Sequence, residues 1–154
     1  MSQEGAGQAG GSVRMINVAD KPVVRRTARA TATVRMAPKA AAMAAAGELP
    51  KGDMGAVAAV AGTLAAKRTP DLLALCHPLA LDAVDVEVDI DPDGGLVRIE
   101  ARATAQARTG VEMEALTAAA VAALNVYDLV KGTDPAVFIE DVRLLEKTKE
   151  EPPA

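Results

Sequence analysis

Two groups of acid and base side chains sit at opposite ends of one apolar stretch. Thr109–Lys131 reads TGVEMEALTAAAVAALNVYDLVK, with Glu112 and Glu114 near its start and Asp128 and Lys131 at its close. Its apolar pattern predicts an amphipathic helix. At about 1.5 Å of rise per residue, Glu114 and Asp128 stand roughly 21 Å apart along such a helix. Two groups so placed in one chain cannot easily flank a single reacting carbon. If both ends carry chemistry, a two-fold related copy would bring the head of one helix to the tail of another. The stretch therefore points to an enzyme and to an oligomer with shared sites.

Each group also has an ordinary structural role. Acidic residues are favoured at a helix N-terminus by the helix dipole. Asp128 and Lys131, spaced i, i+3, form a simple surface pair worth about 0.2–0.5 kcal/mol. Asp128 follows the mostly apolar run Ala118–Val126, however, which predicts partial desolvation and a carboxylate–lysine acid–base pair. Lys51-Gly52-Asp53 reads either as a turn with a helix cap or as a lysine beside a helix N-terminus. In the second case Lys51 would hold a phosphate, or donate a proton if its pKa is depressed. Leu75-Cys76-His77-Pro78 carries the chain's single histidine and single cysteine. Pro78 favours an extended His77, whose ring then projects from a loop. One reading is a satisfied histidine, the other substrate hydrogen bonding or proton transfer. Adjacent Cys and His are poor chelators of one metal and no second Cys or His exists to help them, so no metal site is expected. There is also no glycine-rich phosphate loop of the Walker or Rossmann kind.

The elements that must position these groups are visible in the pattern. Ala28–Met36 alternates as a half-buried strand, and Pro38 opens a short helix ending near Gly47. Asp53 caps a second helix running to about Lys67. Val84–Ile90 and Val97–Arg102 alternate strictly around the turn Pro92-Asp93-Gly94-Gly95, which predicts a hairpin facing acidic against basic side chains. The long helix follows, then a strand over 136–146, with Lys147 just past it at the hinge into a tail. The order matches an α+β, ferredoxin-like fold, an antiparallel sheet with helices on one face.

At 154 residues the chain is one domain able to bury a core without staples, although much of its 50% hydrophobic content is alanine and only Tyr127 and Phe138 are aromatic. The lone Cys76 permits no internal disulfide and fits a reducing compartment. The net charge of −4, with no basic block interleaved with aromatics, lacks the footprint of a nucleic-acid binder. Thr117, Asn125 and Asp128 interrupt the longest apolar run, so no membrane span is expected. A soluble, cytoplasmic domain is the expectation.

In chain order the segments are more specific than their parts. KGD at 51–53, AGTLAAKRT at 61–69, LCHPL at 75–79, RTGVEMEALTAAAVAAL at 108–124, YDLVK at 127–131 and VRLLEK at 142–147 resemble the cyclic pyranopterin monophosphate synthase family of molybdenum cofactor biosynthesis. The resemblance covers about residues 15–147, as a single catalytic domain between a flexible leader (1–14) and a charged tail (148–154). It implies a small-molecule substrate, 3′,8-cyclo-7,8-dihydro-GTP, rearranged to the cyclic pyranopterin with release of pyrophosphate and without a redox cofactor. It also implies a homohexamer, a trimer of dimers with sites at subunit interfaces. By matching motif, Asp128, Lys51 and Lys131 are the implied catalytic groups. Leu75, Cys76, His77, Met113, Glu114, Glu112, Arg26, Lys67 and Lys147 are the implied substrate contacts, the basic ones suited to a triphosphate. Two departures stand out. Asn17-Val18-Ala19 replaces the family's usual Asp-Val-Ser, and Thr148-Lys149-Glu150-Glu151 replaces a Gly-Gly-Lys-Ser-Gly loop. They motivate an alternative, a catalytically weakened paralogue that binds a nucleotide or a partner.

Overall fold

Alternating small apolar and polar residues build the central strand, β1 (Val24–Arg35), in the computed structural model, which describes residues 11–151. Residues 1–10 of the expected leader and 152–154 of the expected tail lie outside the described residues. Ala28, Ala30, Ala32 and Val34 are wholly buried on one side of β1. The strand starts four residues before the alternation predicts, because Arg26 occupies an inward-facing position and breaks the apolar row.

Pro38 opens α1 (Pro38–Ala45) from its first turn. Asp53 caps α2 (Met54–Lys67), its Oδ1 accepting the Ala56 N–H at 2.9 Å. A single helical turn, α3 (Thr69–Leu72), follows around Pro70. β2 (Ala83–Asp91) and β3 (Leu96–Ala107) form the expected hairpin, and α4 (Glu112–Val130) and β4 (Phe138–Lys149) complete the chain order. The sheet is antiparallel throughout, in the order β2-β3-β1-β4, with the helices on one face. This is the α+β, ferredoxin-like arrangement.

The uncovered face is charged. Asp85 faces Arg102 and Asp89 faces Arg98 across the hairpin, as the pairing argument requires. Glu87 instead faces Glu100, and Glu100 turns to Arg29 of β1 at 2.7 Å. Arg29 also meets Glu146 at 3.1 Å, and Arg35 meets Glu140 at 2.6 Å, so solvated ion pairs run across three strands.

The covered face is lined with alanine. Of the nine buried residues of α4, five are Ala115, Ala118, Ala119, Ala122 and Ala123, which lets the helix approach both the sheet and α2. Gly62 of α2 is needed for that approach: a Cβ there would lie 2.9 Å from the Ala118 carbonyl oxygen. By length and composition alone α4 could cross a membrane, but half of that window is buried inside the domain. A core helix of a globular domain has the same character.

β4 continues through Lys149, so Lys147 lies inside the strand and not at a hinge beyond it. Two register shifts, between Arg29 and Ala30 and between Thr33 and Val34, break the alternation of β4 and hide its length from the sequence pattern. Lys147 pairs with Ala28 and Lys149 with Arg26, which places both lysines on the helix side of the sheet.

Candidate active site

The two ends of α4 hold two separate clusters. At its C-terminal end Asp128 offers one carboxylate oxygen to each of two lysines: Oδ2 lies 2.8 Å from Lys51 Nζ and Oδ1 lies 2.7 Å from Lys131 Nζ. Lys51 reaches Asp128 from the turn that precedes the Asp53 cap, where Gly52 takes φ +109°. The hydrogen bonds from Lys131 and then Lys51 hold the Asp128 carboxyl down at about 2. The same contact with Asp128 raises Lys131.

Asp128 is partly desolvated in the single chain, as the apolar run before it predicts, with its side chain 46% exposed. As it stands this cluster is a solvated ion triplet, and acid–base chemistry would need something that excludes water from it.

At the N-terminal end of α4 a cavity of about 290 Å³ is walled by Leu75, Cys76 and His77, by Met113 and Glu114, and by the 16–18 segment. Leu75 and Met113 are exposed at its rim. His77 Nε2 lies 2.7 Å from the Ile16 carbonyl oxygen, which can only accept, so Nε2 carries the proton. This bond ties the chain ahead of β1 to the loop after α3. Asn17 Oδ1 accepts the Ala19 N–H at 2.9 Å, a turn that an aspartate in that place would also make.

Glu114 is the most unusual group of the molecule. It is 2% exposed, and neither carboxylate oxygen has a hydrogen-bond partner among the described residues. Burial raises its pKa, and the neighbouring Glu112 pushes the same way. The Cys76 thiol is raised by burial first and then by the Glu114 and Glu112 carboxylates, which makes it a poor nucleophile. A buried unpaired carboxylate is costly to the fold, and a ligand bearing N–H donors would relieve it.

A second cavity, about 260 Å³, adjoins the first and shares Gly110 and Glu112 with it. Arg26, Lys147 and Lys149 line it. The Glu112 carboxylate separates the two hollows, 3.1 Å from Lys147 Nζ and folded back over Gly110, where a Cβ would collide with it. Lys67 joins neither cluster; it lines a third hollow at the start of β2, next to the first cavity through Leu79.

The structure thus gathers Lys51, Asp128 and Lys131 at one end of α4. It gathers Leu75, Cys76, His77, Glu112, Met113 and Glu114 at the other, with Arg26 and Lys147 just beyond Glu112. Sequence reasoning missed Gly110, which seats Glu112, and Lys149. The alternation that would have placed Lys149 inward is interrupted by the shift beside Ala30. Among the described residues no three His, Cys, Asp or Glu side chains gather as metal ligands.

Comparison with known proteins gives one consistent result. The family model of the MoaC family matches residues 15–150. Cyclic pyranopterin monophosphate synthase of Herpetosiphon aurantiacus is 51% identical over 138 residues, which cover 90% of this chain and 84% of that protein.

Proposed function

The chain belongs to the MoaC family, and from that membership we infer that it is a cyclic pyranopterin monophosphate synthase of molybdenum cofactor biosynthesis. It converts 3′,8-cyclo-7,8-dihydro-GTP to the cyclic pyranopterin and releases pyrophosphate. The structural observation that best supports this substrate is Glu114, buried and unpartnered in its cavity. The purine-derived part of such a substrate carries N–H donors that a carboxylate of this kind accepts. Arg26 and Lys147, across Glu112, suit the triphosphate.

Closing the cyclic phosphate joins a hydroxyl oxygen of the substrate to the α-phosphorus and breaks the bond between the α- and β-phosphates. The hydroxyl proton passes to a base, and the electron pair leaves on pyrophosphate. The preceding ring opening and reclosure needs further proton transfers. We assign these transfers to Lys51 and Lys131, held side by side by Asp128. Leu75, Cys76, His77 and Met113 shape the pocket around the ring system, and Lys67 serves from its margin.

Because the clusters lie at opposite ends of α4, the reading includes a site shared between subunits of a homohexamer, a trimer of dimers. Val60 and Leu64 of α2, with Leu124 and Tyr127 of α4, are exposed apolar side chains consistent with an interface beside Asp128. Contact with a partner there would exclude water from the lysines, as their chemistry requires. A free, partly exposed thiol at Cys76 agrees with a reducing cytoplasmic setting.

The test is direct turnover. Purified protein supplied with 3′,8-cyclo-7,8-dihydro-GTP should form pyranopterin and pyrophosphate together, and Lys51→Ala or Lys131→Ala should abolish both. Tight binding without either product would instead identify a paralogue that has lost the reaction.

A further inference from the structure

We propose that Lys149 is a third phosphate-binding cation of this site, contacting the substrate's polyphosphate beside Arg26 and Lys147. This deepens the functional reading above and rests on it for the identity of the ligand. β4 continues two residues past Lys147, and its extension is fastened by the Glu150 N–H donating to the Arg25 carbonyl at 3.0 Å. Lys149 therefore stands on an ordered strand end. Fixing its stem against a ligand costs less conformational entropy than fixing a lysine on a free tail.

Register sets what it faces. Lys149 pairs directly with Arg26 on the helix side of the sheet, and Lys147 lies two residues away on the same side. Like charges directly opposite one another are unfavourable in a sheet, and here three cations converge on one cavity of about 260 Å³. The chain compensates only part of this charge. Arg26 donates from Nε to the Ala107 carbonyl at 3.1 Å and from Nη2 to the Arg108 carbonyl at 3.2 Å, which fixes its direction without neutralising it. Lys147 has Glu112. Lys149 has no ion pair and no side-chain hydrogen bond among the described residues. One carboxylate against three cations leaves a surplus positive charge in a concave site, which is the condition for binding a polyanion.

A lysine on an exposed edge strand can also serve simply to block edge-to-edge pairing. That role predicts no effect on ligand affinity, so the two are separable. Lys149→Ala, Lys149→Glu and Lys149→Arg would be made in the full chain and checked for unchanged secondary structure and oligomeric state. The readouts are KM and kcat for the cyclised GTP substrate, and the Kd of inorganic triphosphate. Lys149→Ala should raise KM and the triphosphate Kd by about threefold to tenfold, with kcat within about twofold of wild type. Lys149→Glu should raise both further, and Lys149→Arg should restore them. If Lys149→Glu leaves KM and the triphosphate Kd within about twofold of wild type, the proposal is overturned. A wild type that fails to turn over sinks the functional reading by itself, and the triphosphate titration then decides Lys149 alone. Absence of triphosphate binding in that case overturns both.

Discussion

Lys51 and Asp128 meet at 2.8 Å within one chain, so the turn before α2 and the end of α4 supply a single cluster from a single subunit. That pairing fixes how a shared site must divide. In the proposed shared site a subunit would contribute its Lys51–Asp128–Lys131 end as one unit, and the Glu114 end as another.

Complementation between variants checks this division. Mixed oligomers of Glu114→Ala and Asp128→Ala chains should recover activity, with about one quarter of sites intact at equal random mixing. Mixtures of Lys51→Ala with Asp128→Ala should recover none, because both changes fall in the same unit. Recovery in the second mixture would contradict the geometry.

Asp128 gives a pH signature. Its folded pKa, about 2, lies below the ordinary carboxyl value of 3.8, chiefly through Lys131 and then Lys51. A depressed carboxyl contributes stability that is present above its unfolded pKa and lost as pH falls through its folded pKa. The wild type should therefore lose stability relative to Asp128→Asn between about pH 4 and pH 2. Denaturant midpoints of the two proteins across that window measure the difference.

Glu114 should behave in the opposite sense. Its pKa is raised by burial, so the folded state binds its proton more tightly than the unfolded chain, and ionisation at higher pH destabilises the fold. Glu114→Gln should be more stable than wild type at pH 8, and the advantage should shrink at pH 5. Turnover should fall sharply in the same variant. A more stable, inactive protein is the expected result, measured by thermal unfolding and assay side by side.

Gly110 should act through Glu112 alone. A methyl group at residue 110 would displace the Glu112 carboxylate from its seat and loosen its contact with Lys147. Gly110→Ala should therefore change triphosphate affinity in the same direction as Glu112→Ala. In a Glu112→Ala background it should have almost no effect, and a double-mutant cycle gives the coupling.

Close helix packing supplies a control on the fold. Gly62→Ala should destabilise by about 1–3 kcal/mol, since its Cβ would press on the Ala118 carbonyl oxygen and the Ala122 methyl. Denaturant titration reads this directly.

Much of this architecture was legible in the residues. The hairpin, the Asp53 cap and α4 follow from alternation, a capping side chain and helical periodicity, all local signals. The strand limits were not legible for a physical reason. Arg26, Lys147 and Lys149 sit on the inward side of β1 and β4 where the pattern calls for apolar residues, and bulges in β4 shift the parity. The positions that made the strands look short are those that line the cationic cavity. Local rules fail where polar side chains line a cavity inside the fold. The separation of the two clusters at the ends of α4 followed from helix rise. The Lys51 contact did not, because it joins residues 77 positions apart.

Tyr127 is the chain's only tyrosine, there is no tryptophan, and the ring lies half exposed beside Asp128 on the apolar patch of α2 and α4. The molecule therefore carries one intrinsic optical probe, situated at the lysine-bearing end. Its emission on dilution would test, without any label, whether subunits meet at that face.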